Sequence, residues 1–306
     1  MKAVLWTAYG PPEVLQSGEL PTPLPKPHQV RIRVHATAVS YSDCLGRALA
    51  FPRPIALIAR LILGWRRPRK QVSGIVFSGE IDRVGAKVRS FREGQQVFGL
   101  DPFGAGCYAE YKCMRENGAL AIKPENLSHQ EAAAIPYGGL LALGFLKAGG
   151  IERKRKVLVY GAAGAVGSSA VQLAKYFGAE VTGLCSSRNI ELVQSLGADR
   201  VIDYTSQDFT TLPDRYDLIF IAITKRFRPP SREQCRNLLL PGGSYLSVAR
   251  PMPKMTQEMM TLLKELIEAG KLKPVIDRTY ELSQLAEAHR YVETVRKRGI
   301  VVVDVP

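Results

Sequence analysis

The sequence predicts an α/β protein in which a strand-rich first part precedes a doubly wound parallel sheet. Three observations predict it. Residues 30–99 hold short strand patterns separated by glycine and other turn residues. From Val157 onward strand and helix patterns alternate, which calls for a parallel sheet with right-handed crossovers. At the head of that alternation Val157–Tyr160 runs into Gly161-Ala-Ala-Gly164-Ala-Val-Gly167 and then a helical run.

Met1–Trp6 reads as a first strand and not a signal peptide, because the chain turns polar by Thr7 and meets Gly10-Pro-Pro. Pro21, Pro23, Pro25 and Pro27 make residues 21–28 an extended loop. Val30–Val34 alternates as a half-buried strand should, and Ile75–Arg83 and Gln96–Gly99 are further strands. Glu131–Phe145 reads helical with a break at Pro136. Beyond Lys156, strands are predicted at 157–160, 181–185, 200–203, 217–222 and 244–248. Helices are predicted at 165–177, 188–196, 231–240 and 256–270, with Gly197, Gly242 and Gly270 as stops. Ile300–Val305 is a last strand, placed with the first part.

At 306 residues the chain is long enough for two domains, each with its own core. The net charge of +14 comes from 42 Lys and Arg against 28 Asp and Glu. No helix-turn-helix or RNP-like pattern accompanies it, so nucleic acid is not an expected partner. A solvated basic surface is the plainer reading. Five cysteines without C-x-x-C spacing suit a reducing compartment, and the expected location is cytoplasmic.

The strand, glycine turn and helix at 157–177 form a dinucleotide-binding pattern. Glycines let backbone approach a pyrophosphate, and the helix N-terminus offers free N–H groups and a positive dipole end. Gly161, Ala163, Gly164, Ala165, Val166 and Gly167 are the expected pyrophosphate residues. An NAD site places an acid about 20 residues on, yet Val181–Asn189 holds no acid, only Ser186, Ser187 and Arg188 after the strand. Hydroxyls and a guanidinium can hydrogen-bond and neutralise a 2′-phosphate. The expected cofactor is therefore NADPH.

Several further stretches stand in order around this unit. They include Asp82-Arg-Val-Gly85, Phe91-Arg-Glu-Gly94 through Gly99, Ala132-Ala-Ala-Ile-Pro136 and Val171-Gln-Leu-Ala-Lys175. Ser195-Leu-Gly-Ala-Asp199 through Tyr204, Leu240-Pro-Gly-Gly243, Gly270–Asp277 and Ala286-Glu-Ala-His289 continue the series. With these the chain resembles a medium-chain dehydrogenase/reductase of the zinc-independent quinone oxidoreductase and 2-alkenal reductase branch. The resemblance implies a GroES-like, mostly β catalytic domain at 1–122 and 274–306, a Rossmann domain at 123–273, and an active site in the cleft between them. It adds Tyr204 to the 2′-phosphate set, and Ala222 and Ser247 complete the cofactor-binding residues. Where zinc relatives carry their ligands, this chain has Ser40, Ile75-Val76 and an apolar run after Pro136, and its four histidines are scattered. The reading is no metal.

In such enzymes hydride adds to the β-carbon of an activated alkene, or to a quinone, and the developing enolate is stabilised and protonated. The candidates for that work are Ser40, Tyr41 and Asp43 in the first catalytic loop and Tyr137 near the expected nicotinamide. Each has a plainer reading: a packed tyrosine with one hydrogen bond, or an aspartate that orients backbone. His289 reads as structural. Val76, Leu141, Ile221-Ala-Ile-Thr224 and Gly299-Ile300 depart from the branch's usual residues around the nicotinamide. The expected activity is NADPH-dependent reduction of an activated C=C bond or a quinone. The alternative is an NADPH-binding sensor or non-catalytic homologue. The expected partners are a small apolar substrate, a second copy in a homodimer, and peripheral membrane contact. The last is motivated by residues 48–70, whose apolar Ile55–Trp65 is flanked by Arg60 to Lys70. The plainer reading of that stretch is a helix packed over the substrate pocket.

Overall fold

The structure, a computed structural model, describes residues 1–51, 53–102, 104–224 and 229–306. The chain divides into two compact units. One comprises Met1–Pro136, Thr256–Lys264 and Ile276–Pro306; the other comprises Tyr137–Met255 and Glu265–Val275.

In the first unit β1 (Lys2–Trp6) pairs antiparallel with β2 (Leu15–Glu19). β3 (Gln29–Val39) follows, then α1 (Tyr41–Ala48), α2 (Arg53–Leu63), β4 (Val76–Val84), β5 (Gln96–Leu100), β6 (Tyr111–Arg115), β7 (Ala119–Ile122) and α3 (His129–Ala133). β3 alternates as its sequence requires: Val30, Ile32 and Val34 are buried, while Arg31 and Arg33 lie on the other face. Serine begins both short helices. Ser40 and Asp43 form a capping box on α1, and Ser128 and Glu131 form one on α3.

The second unit opens with α4 (Pro136–Ala148), its proline in the first turn, where no N–H is missed. β8 (Lys156–Tyr160), α5 (Ala165–Tyr176), β9 (Glu180–Cys185), α6 (Ile190–Ser195), β10 (Arg200–Asp203), β11 (Tyr216–Ile221) and β12 (Leu239–Ser247) follow, and then α7 (Gln257–Glu268), whose residues up to Lys264 are assigned to the first unit and the rest to the second. The five strands form a parallel sheet in the order β10-β9-β8-β11-β12. The chain then returns to the first unit with β13 (Ile276–Glu281), α8 (Leu285–Glu293) and β14 (Ile300–Asp304). β14 pairs antiparallel with β3, Val301 opposite Val39, in a sheet ordered β13-β14-β3-β4-β5-β7 with β6 also on β3. The last strand thus joins the first part, as its sequence position suggested.

One predicted helix is not there. Residues 232–235 form turns, Arg236–Leu238 makes a single 3-10 turn, and β12 begins at Leu239 instead of near 244. Pairing of Leu239 with Tyr216 of the neighbouring strand draws the end of the predicted helix into the sheet. Residues 48–70 differ from their plainer reading too: α2 keeps its large apolar side chains exposed.

Candidate functional site

Parallel strands align their C-terminal ends, and the cofactor residues expected from sequence meet there. In the second unit's sheet Tyr160 lies beside Leu184, and Ile221 lies beside both Tyr160 and Ser247. The loops that leave these strands begin with Gly161, Ser186 and Ala222. One edge of the sheet therefore gathers segments as far apart in sequence as Tyr160 and Ser247, at the place where open α/β sheets bind ligands.

The glycine turn is sterically fixed. Gly161 has φ +81°, and a Cβ there would stand 2.4 Å from Cγ2 of Ile223. A Cβ on Gly167 would fall 2.0 Å from the Gly161 carbonyl oxygen, so α5 rests directly on the turn. Gly164, the residue capping α5, has nothing nearer to its Cβ position than that same oxygen at 3.6 Å. The turn is closed on its inner side and roomy at Gly164. The first N–H groups of α5 have no acceptor within the helix, which suits a pyrophosphate. Thr224, at the same sheet edge, adds a buried hydroxyl with no hydrogen-bond partner among the described residues. The residues present fit a dinucleotide.

The end of β9 is more particular than its sequence suggested. Ser186 Oγ accepts from Asn189 Nδ2 at 3.1 Å, which leaves its own proton free to donate. Ser187 Oγ donates to Asp203 Oδ2 at 2.6 Å. Asp203 also accepts from the hydroxyl and backbone N–H of Thr205, and these hydrogen bonds, Ser187's foremost, hold its carboxyl down to about 2. Asp203 was not singled out from sequence. Only the pairing of β10 beside β9, which sets its last residue level with Cys185, brings it to this rim. Arg188 is exposed on this rim, and Tyr204 stacks on Tyr160 with centroids 5.3 Å apart.

The residues singled out for chemistry lie on both units. In the first, Ser40 N–H and Oγ donate to Asp43 Oδ2 at 2.8 and 2.5 Å, and Asp43 N–H donates back to Ser40 Oγ. That is helix capping, and it accounts for both residue types without any reaction. Burial pushes the Asp43 carboxyl up to about 6, against the hydrogen bonds from Ser40. Tyr41 is half-buried against the first unit's core. Tyr137 opens the second unit, near the first turn of α4. Its neighbour Gly138 presses so closely on α5 that a Cβ would lie 2.1 Å from the Ala165 carbonyl oxygen. This close approach brings Tyr137, distant in sequence, to the N-terminus of α5. Among the described residues no three His, Cys, Asp or Glu side chains gather where a metal ion could bind.

Comparison with known proteins accords with this geometry. Residues 26–125 match the alcohol dehydrogenase GroES-like domain, and residues 165–274 and 250–303 match two models of zinc-binding dehydrogenases. The chain is 34% identical to the 2-methylene-furan-3-one reductase of Solanum lycopersicum over 99% of its own length and 79% of that protein. It is 32% identical to the chloroplastic NADPH-dependent alkenal/one oxidoreductase of Arabidopsis thaliana, with the same two coverages of 99% and 79%. The quinone oxidoreductase structure from Coxiella burnetii superposes with a TM-score of 0.83 at 28% identity, covering 100% of this chain and 99% of that one. The chain belongs to the medium-chain dehydrogenase/reductase family, in the branch of quinone oxidoreductases and alkenal reductases.

Proposed function

We propose that this protein is an NADPH-dependent oxidoreductase that reduces an activated C=C bond or a quinone in a small apolar substrate. The observation that carries the reading is the glycine turn, closed at Gly161 and Gly167 and open at Gly164, level with the Ser186-Ser187-Arg188 rim. NADPH, when bound, supplies the hydride. The N–H groups of Ala165, Val166 and Gly167 hold its pyrophosphate with the positive end of α5. Ala163, Ala222 and Ser247 line the same edge. Ser186 donates to the 2′-phosphate and Arg188 neutralises it, while Asp203 holds Ser187. Tyr204, on Tyr160, flanks the adenosine.

The proposed proton donor is Tyr137, because Gly138 docks its backbone against the start of α5. A phenol is protonated at neutral pH, so it can donate to the oxygen on which charge develops. Tyr41 is the second candidate. Ser40 and Asp43 cap α1, the helix that Tyr41 begins. Mixing the protein with NADPH and a panel of enals, enones and quinones should give substrate-dependent loss of reduced-nicotinamide absorbance. Tyr137→Phe should lower kcat by roughly a hundredfold with NADPH affinity unchanged. Full turnover in Tyr137→Phe with loss in Tyr41→Phe would move the role to Tyr41. A second reading, an NADPH sensor that does not turn over, is favoured by Ile223 pressed on Gly161 and by Leu141 buried in α4. Tight NADPH binding without oxidation across the panel would establish it.

The proposed location is cytoplasmic, a reducing compartment in keeping with five free cysteines. The assembly we propose is a homodimer, since β12 carries no further strand on its outer edge among the described residues. Light scattering tests it.

A further inference from the structure

Among the described residues no helix is long and apolar enough to cross a membrane. α2 is nevertheless conspicuous. Ile55, Leu57, Ile58, Leu61 and Ile62 are between 50% and 63% exposed, and Trp65 just beyond the helix is 56% exposed. Positions 55, 58 and 62, with 61 beside them, follow helical spacing, so these side chains form one continuous outward stripe on α2, and exposed Trp65 follows it in the turn. A scatter of single exposed apolar residues needs no explanation, but a contiguous stripe does.

The stripe is presented by a well-anchored turn. Tyr9 OH donates to the Gly64 carbonyl at 2.7 Å. The Arg60 guanidinium donates to the Trp65 carbonyl at 2.7 Å and lies 5.7 Å from the centre of the Tyr9 ring. Arg69 N–H donates to the Leu63 carbonyl at 2.7 Å. Gly64, at φ +130°, leaves a Cβ only 2.1 Å from the Arg67 carbonyl oxygen, so the turn admits no other residue without moving. Leu63 packs against the first unit's core. The inner side is thus tied down, while the outer side is exposed among the described residues.

Charge says what covers it. Between Asp43 and Glu80 the sequence contains no acid. Arg66, Arg67, Arg69 and Lys70 are exposed directly after the helix. Two copies pairing through this face would set like charges together without a counter-charge. We propose that α2 and the arginine turn 64–70 form an interfacial foot that seats on an anionic lipid surface. Ile58, Leu61, Ile62 and Trp65 enter the boundary between headgroups and acyl chains, and Arg66, Arg67 and Arg69 meet the headgroup charge. This inference does not depend on the reductase reading.

The test is co-sedimentation of the full chain with vesicles of phosphatidylglycerol and phosphatidylcholine, and with phosphatidylcholine alone. Binding to the anionic vesicles should exceed that to the neutral ones by roughly tenfold or more. It should fall by a similar factor in Arg66→Glu/Arg67→Glu/Arg69→Glu and, separately, in Ile58→Asp/Leu61→Asp. NADPH binding should be unchanged in both variants, which shows that they fold. Trp65 emission should shift to the blue on binding, a change absent in Trp65→Phe. Three results would overturn the proposal. One is no pelleting of the folded protein with anionic vesicles. Another is wild-type pelleting by Ile58→Asp/Leu61→Asp, which would mean charge adsorption alone. The third is a concentration-dependent oligomer, abolished by that variant and undisturbed by vesicles, which would make a second copy the occupant.

Discussion

His289 sits fully buried on α8, its Nδ1 3.2 Å from the Arg47 guanidinium and 3.5 Å from Cys44 Sγ. An arginine can only donate, so the ring is neutral with Nδ1 as acceptor. Burial first, and Arg47 second, lower its pKa to about 3. The Cys44 thiol beside it is pushed well up by burial and is no nucleophile. A depressed histidine contributes stability that is present above its ordinary value near 6.5 and lost as pH falls. Urea unfolding between pH 7 and pH 5 should therefore show about 1.4 kcal/mol of loss per pH unit from this residue below 6.5. His289→Gln should be less stable at pH 7 but lack that slope. Asp43 acts with the opposite sign. Its raised carboxyl stabilises at low pH, and that contribution is lost as pH rises through about 6. Asp43→Asn should make the acid loss steeper, and an unchanged slope would contradict this assignment.

Within the element that joins β8 to α5, the three glycines have different duties, and substitution separates them. Gly167→Ala drives a methyl into the Gly161 carbonyl, 2.0 Å away, so it should destabilise the second unit by several kcal/mol. Gly164 has φ −81° and room for a methyl, so Gly164→Ala should fold normally. A methyl there would crowd a pyrophosphate, so NADPH affinity should still drop by roughly tenfold. Thermal melting and fluorescence titration distinguish the two; parallel losses in both variants would refute the division. This element was legible in sequence because glycine, helix and strand signals coincide there. The helix expected at 231–240 was not. Its apolar spacing suits a helix, but strand pairing of Leu239 with Tyr216 overrides local pattern. Ser40 and Asp43 show the same limit: a capping box and a catalytic pair draw on the same residue types.

At the scale of the whole molecule, the order of motifs was enough to predict the fold class and to place the last strand with the first part, because period-2 and strand–helix patterns differ sharply. What the sequence could not display was lateral proximity. Asp203 reaches Ser187 only because β9 and β10 are neighbours in register, and Tyr137 reaches α5 only through the close approach of Gly138. These two placements bear on the central claim, that the protein selects NADPH to reduce an apolar acceptor. Asp203 sets a negative charge on the rim, and Arg188 sets a positive one. The most direct test is the ratio of kcat/KM for NADPH over NADH, measured with one reducible enone or quinone in wild type and in Arg188→Ala. Wild type should favour NADPH, and Arg188→Ala should lower that ratio by roughly tenfold, the scale of a charged hydrogen bond at an exposed site, while kcat/KM for NADH hardly changes. Equal losses for both nucleotides, or a wild-type preference for NADH, would contradict the account.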